Sequence, residues 1–65
     1  MAKHWSLKQP SKRELTLAHM RVAGYDNDSG TWTRLYIENK ISYAVAKQAW
    51  ADGVRMREAG VPRTL

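Results

Sequence analysis

The sequence predicts a small all-α domain of three helices, whose last two helices form a helix-turn-helix-like hairpin. Trp32, Leu35 and Tyr36 have i, i+3, i+4 spacing, which places them on one helical face. A second apolar stripe follows Ser42, a residue well suited to cap a helix. That stripe consists of Val45, Ala46, Ala49, Trp50, Gly53 and Val54. Because the link at residues 39–42 is short, the two helices should pack against each other.

The first helix is predicted at residues 12–23. Ser11 and Glu14 have the spacing of a capping box, and Gly24 is the expected C-terminal stop. One face of this helix should carry Leu15, Ala18, His19 and Val22, with Leu17 and Met20 beside it.

The strongest turn cluster is Asp-Asn-Asp-Ser-Gly at residues 26–30, and it is compatible with two structures. It can cap a helix that begins near Ser29, since acidic and Asn side chains suit the N-terminal end of the helix dipole. It can also turn a β-hairpin around residues 25–31, between residues 15–25 and the alternating residues 31–37, which would make the fold α+β. The aromatic spacing favours the helix.

The last helix is predicted at residues 43–59, with Gly60 ending it and Pro62 preventing its continuation. The domain organisation that follows is a mobile basic tail at 1–10, one helical domain at 11–62 and a frayed end at 63–65. Trp5 is the largest apolar side chain of the tail, so it either folds back onto the domain or binds a partner.

Composition excludes several classes of function. The chain has 65 residues, no cysteine and only two histidines, His4 and His19, so disulfides and a histidine–cysteine zinc site are ruled out. No Gly-rich phosphate loop is present, Ser11 and Ser42 are explained as caps, and we expect neither enzymatic activity nor a cofactor. No apolar run approaches membrane-spanning length and no signal-peptide pattern begins the chain, which predicts a cytoplasmic protein without membrane contact.

The charge balance favours an acidic partner. Eleven Lys and Arg against six Asp and Glu give a net charge of +5, and the pI is near 10.0. Nucleic acid and an acidic protein surface are the two partner classes that such a balance suits.

The link and the helix after it resemble the turn and second helix of a helix-turn-helix. In that motif, the first turns of the second helix contact base edges. The residues placed to face bases are Tyr43, Ala44, Lys47 and Gln48, and those placed to meet phosphates are Arg34, Lys40 and Arg55. Two substitutions should crowd the turn, Lys40 where the motif has Gly and Tyr36 where it has a small residue. An ordinary helical hairpin is therefore the favoured alternative.

Longer runs of residues resemble a specific family. Residues 22–28 read Val-Ala-Gly-Tyr-Asp-Asn-Asp, and residues 33–42 read Thr-Arg-Leu-Tyr-Ile-Glu-Asn-Lys-Ile-Ser. Residues 49–62 read Ala-Trp-Ala-Asp-Gly-Val-Arg-Met-Arg-Glu-Ala-Gly-Val-Pro. Together they resemble a family of very small phage proteins, among them a regulator that binds host bacterial RNA polymerase. Several members continue past Gly-Val-Pro into a cysteine cluster that could hold zinc; this chain has Arg-Thr-Leu there, which removes any zinc function.

The resemblance implies a non-enzymatic regulator of transcription. It would bind the large subunits of host RNA polymerase in the bacterial cytoplasm as a monomer, inhibit initiation and favour read-through of terminators, with DNA contact nearby left open. Direct DNA binding through the last two helices is the alternative function. The residues that we expect to contact the partner are Trp5, Arg34, Lys40, Lys47 and Arg55.

Overall fold

The computed structural model describes residues 11–63, and within that range the chain forms three helices and no strand. They are α1 (Lys12–Asp26), α2 (Ser29–Glu38) and α3 (Tyr43–Glu58). The predicted all-α, three-helix fold is confirmed. The β-hairpin alternative is wrong, because residues 31–37 lie inside α2. The tail at 1–10, including Trp5, lies outside the described residues, as do residues 64–65.

The first helix begins as predicted and ends later. The Glu14 backbone N–H donates to Ser11 Oγ at 3.1 Å, and the Ser11 N–H donates to Glu14 Oε1 at 3.1 Å, which completes the capping box. Gly24 does not stop the helix, because it lies within α1 and is buried there. The helix ends instead at Asn27, which adopts the left-handed conformation with φ 60°.

The acidic turn cluster caps α2. Asp28 accepts hydrogen bonds from the Thr31 backbone N–H at 3.2 Å and from the Thr31 hydroxyl at 2.7 Å. These bonds hold the pKa of the Asp28 carboxyl below its ordinary value, the hydroxyl bond having the larger effect. The cap directs the chain straight into α2, which is why the cluster makes a helix start and no hairpin.

The turn between α2 and α3 combines a left-handed residue with a buried one. Lys40 is left-handed with φ 51°, and the next residue, Ile41, is buried with 5% of its surface exposed. Ser42 then accepts a hydrogen bond from the Val45 N–H at 3.3 Å and caps α3.

The core lies mainly between α1 and α3, and glycine makes their approach close. A Cβ atom added to Gly24 would lie 2.4 Å from the Trp50 carbonyl oxygen, and one added to Gly53 would lie 1.9 Å from the Arg21 carbonyl oxygen. The two helices therefore cross with their backbones almost in contact. Around this crossing the buried apolar side chains are Met20, Ala23, Ile41, Ala46 and Ala49.

The buried face of α1 differs from the predicted one. Leu15 is 45% exposed and His19 is exposed, whereas Thr16 and Met20 are buried. The Thr16 hydroxyl donates to the Lys12 carbonyl at 2.9 Å, so its burial leaves no unpaired polar group.

The segment after α3 returns to the end of α1. The Tyr25 hydroxyl donates to the Val61 carbonyl at 2.6 Å. The Arg63 guanidinium meets the Asp26 carboxylate through Nε at 3.1 Å and Nη2 at 2.9 Å, and this bond raises the pKa of Arg63. Arg63 therefore has a defined contact at the point where we expected fraying to begin.

Candidate partner-binding site

Four aromatic rings lie together between α2 and α3, and we call them the aromatic cluster: Trp32, Tyr36, Tyr43 and Trp50. Trp32 is at its centre. Its ring stacks on Tyr36 with centroids 5.7 Å apart, and it meets Trp50 at 5.9 Å and Tyr43 at 6.4 Å edge-on. Offset stacks and edge-to-face contacts at such distances are the favourable arrangements of aromatic rings.

Helical spacing positions the cluster. Trp32 and Tyr36 are four residues apart on α2, while Tyr43 and Trp50 are seven apart on α3, so each pair lies on one helical face. The Trp32 indole Nε1–H donates to the Ala46 carbonyl across the helices at 2.9 Å. This bond satisfies the one polar group of the central ring and fixes the ring's orientation.

The cluster is open to solvent on one side. Tyr43 is 56% exposed, and the other three rings are half-buried. A groove of about 240 Å³ is lined by Trp32, Tyr43, Lys47, Trp50 and Ser29. We call it the aromatic groove. Lys47 Nζ lies 5.8 Å from the Tyr43 ring centroid, within reach of a cation–π attraction.

The aromatic groove can accept an apolar side chain next to an acidic one. Its walls are aromatic, and among residues 11–63 its single charged group is the ammonium of Lys47. Partly exposed Trp and Tyr rings are also typical of surfaces that become buried in protein complexes.

A second polar group on α3 surrounds Asp52. Gln48 Nε2 donates to Asp52 Oδ1 at 2.9 Å, and the Arg55 guanidinium donates to the same oxygen. These bonds, chiefly the one from Arg55, hold the pKa of Asp52 below its ordinary value. The Gln48 amide and the Arg55 guanidinium thus already have a partner, although so exposed an ion pair contributes little free energy.

The structure does not gather the predicted contact residues into one patch. Lys47 lies in the aromatic groove, and Lys40 lines a different groove beside the start of α1. Arg34 is exposed, and its helical position is opposite the inward-facing Trp32 and Tyr36. Arg55 lies at the Asp52 group, and Trp5 lies outside the described residues.

Sequence reasoning missed the exposure of the aromatic cluster, because aromatic residues at helical spacing usually indicate a core. One signal was available. Tyr43 is not part of the apolar stripe of α3. It lies one turn before Lys47 and two turns before Trp50, so its position is at the edge of that stripe. Lys12 and Arg13, which share a groove with Lys40, had no distinguishing sequence signal.

The two substitutions that we expected to crowd the helix-turn-helix turn are both accommodated. Lys40 takes the left-handed conformation without being Gly. The Tyr36 ring stacks on Trp32 and meets Tyr43 edge-on at 6.0 Å, so it fills the space between the helices. The early turns of α3 expose Tyr43, Ala44, Lys47 and Gln48, the residues expected to face bases.

Comparison with known proteins identified no relative of this chain. No protein-family model matches the chain, and neither curated proteins nor solved structures gave a significant match. Within residues 11–63, no three His, Asp or Glu side chains are grouped as a metal site would require. None of the described helices has the length and apolar character needed to cross a membrane.

Proposed function

We propose that this protein is a non-enzymatic regulator that binds host bacterial RNA polymerase through the aromatic groove, inhibits initiation and favours terminator read-through. The observation that carries the protein-binding part is the half-exposed aromatic cluster with Lys47 beside it. The identity of the partner rests on the resemblance of residues 22–62 to the phage regulators.

The aromatic groove suits protein recognition because its rings are already ordered. Trp32 is held by the Ala46 carbonyl and by three neighbouring rings, so little side-chain freedom remains to be lost on binding. Trp and Tyr are also the residue types that most often dominate the free energy of protein complexes. A partner that covered the groove would bury the exposed surface of Tyr43 without reorganising the domain.

Charge supports an acidic partner surface. The net charge is +5, and within residues 11–63 only Arg55 and Arg63 form ion pairs with carboxylates. The other described cations are available to raise the rate of encounter with an acidic patch. Lys47 is the one that the aromatic groove places next to a docked side chain.

The test is retention of polymerase from a nuclease-treated bacterial lysate on the immobilised full-length protein, together with promoter transcription in vitro. We expect the large polymerase subunits to be retained and initiation to be inhibited by wild type. Tyr43→Ser and Lys47→Glu should each lose most of both activities, with helical content unchanged by circular dichroism. No polymerase on the wild-type column would overturn the proposal.

Arg34→Glu is the matched control, because it makes the same charge change on the face of α2 away from the aromatic groove. It should slow association slightly and leave most of the retained polymerase in place. If Arg34→Glu and Lys47→Glu lose binding equally, net charge would be the determinant, and the groove assignment would be wrong.

Direct DNA binding by the last two helices is the second candidate function. The left-handed Lys40, the buried Ile41 and the exposed early turns of α3 support it. The hydrogen bond from Gln48 to Asp52 weighs against direct DNA binding, because the negatively charged Asp52 carboxylate would lie close to the DNA wherever the Gln48 amide contacted a base. Selection from a random duplex library tests this function: an enriched sequence, lost with Gln48→Ala, would favour it over polymerase binding.

A further inference from the structure

A basic groove lies at the opposite end of α2 from its Asp28 cap. Its volume is about 360 Å³, and it is bounded by the first turn of α1 and by the α2–α3 turn. We call it the basic groove, and the residues that line it are Lys12, Arg13, Thr16, Glu38, Asn39, Lys40 and Ile41.

The fold brings its three cations together from distant parts of the sequence. Lys12 and Arg13 are the first two residues of α1, fixed by the Ser11 capping box. Lys40 is held over the same groove by its left-handed turn. The floor between them is closed by Thr16 and Ile41, which are 7% and 5% exposed.

These cations are not neutralised by neighbouring carboxylates. Within residues 11–63 the only ion pairs are Arg55–Asp52 and Arg63–Asp26, and neither pair is at this groove. Glu38 lines the groove as its single acidic residue, without an ion pair to Lys12, Arg13 or Lys40. The groove therefore keeps an excess of positive charge in a concave surface, where such charge attracts anions most strongly.

The polar groups of the floor have partners within the protein. Thr16 Oγ1 donates to the Lys12 carbonyl at 2.9 Å, and Asn39 Nδ2 donates to the Leu35 carbonyl at 2.9 Å. Recognition of a ligand would thus depend on the three cationic side chains. Among residues 11–63, no aromatic residue lines the groove, so the described lining offers no ring on which a base could stack.

We propose that the basic groove binds phosphate groups of a nucleic-acid backbone, without reading base sequence. Three cations that line one groove fit a charged phosphodiester, and the described lining supplies no ring for base stacking. The chain that enters α1 at Ser11 also carries Lys3 and Lys8 and no acidic residue in its first ten positions. The net charge of +5 favours a polymer with repeated negative charges over a single phosphate ion.

This site is separate from the aromatic groove and does not depend on polymerase binding. It predicts weak, salt-sensitive association with a duplex of any sequence. On a polymerase–promoter complex, the same contact would let the protein touch DNA near its protein partner.

The experiment measures fluorescence anisotropy of a labelled duplex of arbitrary sequence with the full-length protein, without polymerase. When the salt concentration rises from about 50 to about 200 mM, the duplex affinity falls by a factor of about 3.5 for each cation that contacts a phosphate. We therefore compare the fall in affinity over this salt range between wild type and the triple variant Lys12→Gln, Arg13→Gln, Lys40→Gln. The fall should be about 40-fold smaller for the triple variant. Glu38→Gln should bind the duplex more tightly than wild type at low salt.

Arg57→Gln supplies the control. Arg57 Nη1 donates to the Tyr25 carbonyl, at the opposite end of α1 from Lys12 and Arg13, so this substitution should change the salt dependence by less than any single groove substitution. Two competitors at matched ionic strength, inorganic phosphate and polyglutamate, separate the sources of an anion. Displacement by unlabelled duplex but by neither competitor supports the proposal. Equal displacement by polyglutamate would indicate an acidic-protein site, and equal displacement by phosphate would indicate a free-ion site. An Arg57→Gln effect equal to that of the groove variants would indicate a non-specific charge effect. Each of these three results would overturn the proposal.

Discussion

Replacing Gly53 by alanine tests the close crossing of α1 and α3. An added Cβ atom would lie 1.9 Å from the Arg21 carbonyl oxygen and 2.7 Å from the Tyr25 backbone nitrogen. Both neighbours are backbone atoms of α1, so no flexible side chain can move aside. The helices would have to separate by about 1 Å, since a Cβ contact below 3.0 Å is essentially never seen.

The sign of the effect makes this substitution informative. In an isolated helix, alanine is favoured over glycine by about 1 kcal/mol, so Gly53→Ala would stabilise the protein if α3 were free there. Overpacking in a core costs about 1–3 kcal/mol and sometimes more. Because the clash is with backbone, we expect a net loss of about 2 kcal/mol in the free energy of unfolding, which lowers Tm by roughly 8–16 °C.

Thermal unfolding followed by circular dichroism measures the change, and Gly30→Ala is the control. A Cβ atom at Gly30 would meet only Asp28 Oδ1, at an ordinary 3.7 Å. In that exposed first turn of α2, alanine should raise stability by about 0.5–1 kcal/mol. If Gly53→Ala raised Tm as Gly30→Ala does, α1 and α3 would not cross at this point and the packing described above would be wrong.

Two further substitutions test the local conformations. Lys40→Gly should raise stability by about 0.5–1 kcal/mol, because a left-handed residue with a side chain is strained and glycine is not; an unchanged or lower Tm would contradict this. The depressed pKa of Asp28 means that its stabilising effect is complete above the unfolded pKa and is lost as the pH falls through the folded pKa. Tm of wild type should therefore fall more steeply below about pH 4 than Tm of Asp28→Asn, whose cap does not titrate; parallel curves would show that this carboxylate does not matter.

The helix starts could be predicted from sequence because capping is a local property. Ser11, Asp28 and Ser42 each supply an oxygen to a backbone N–H three residues ahead, and the structure has each of these bonds. The helical period of the aromatic residues likewise favoured the helix over the hairpin, and the structure confirms the helix. Interactions that span three or four residues leave a pattern that is readable without the fold.

The glycines and the face of α1 could not be predicted, because they depend on what packs against them. Gly24 had the signature of a helix stop, yet it is a point of backbone contact with Trp50 inside α1. Thr16 was not on the predicted apolar face, yet its hydroxyl bonds to its own helix and the side chain is buried. Both assignments require the positions of the other elements, which the local sequence does not encode.

The candidate site also could not be predicted from the sequence, and the reason is physical. Whether Tyr43 is covered or open depends on how α2 is placed over α3, since the Tyr43 ring lies at the edge of the contact. The basic groove depends on bringing Lys40 beside the start of α1. Predicting exposed aromatics and convergent charges thus needs the arrangement of the helices, whereas predicting the helices does not.

The way α2 is attached has a consequence for how the aromatic groove is maintained. No residue of α2 is fully buried, whereas α1 and α3 both contribute to the core and are in direct backbone contact. We expect α2 to open more readily than the α1–α3 pair, and its amide hydrogens to exchange with solvent first. Opening removes Trp32 and with it one wall of the aromatic groove, so the closed population of α2 sets the concentration of binding-competent protein. A partner seated in the groove would shift that equilibrium toward the closed form and slow exchange along α2.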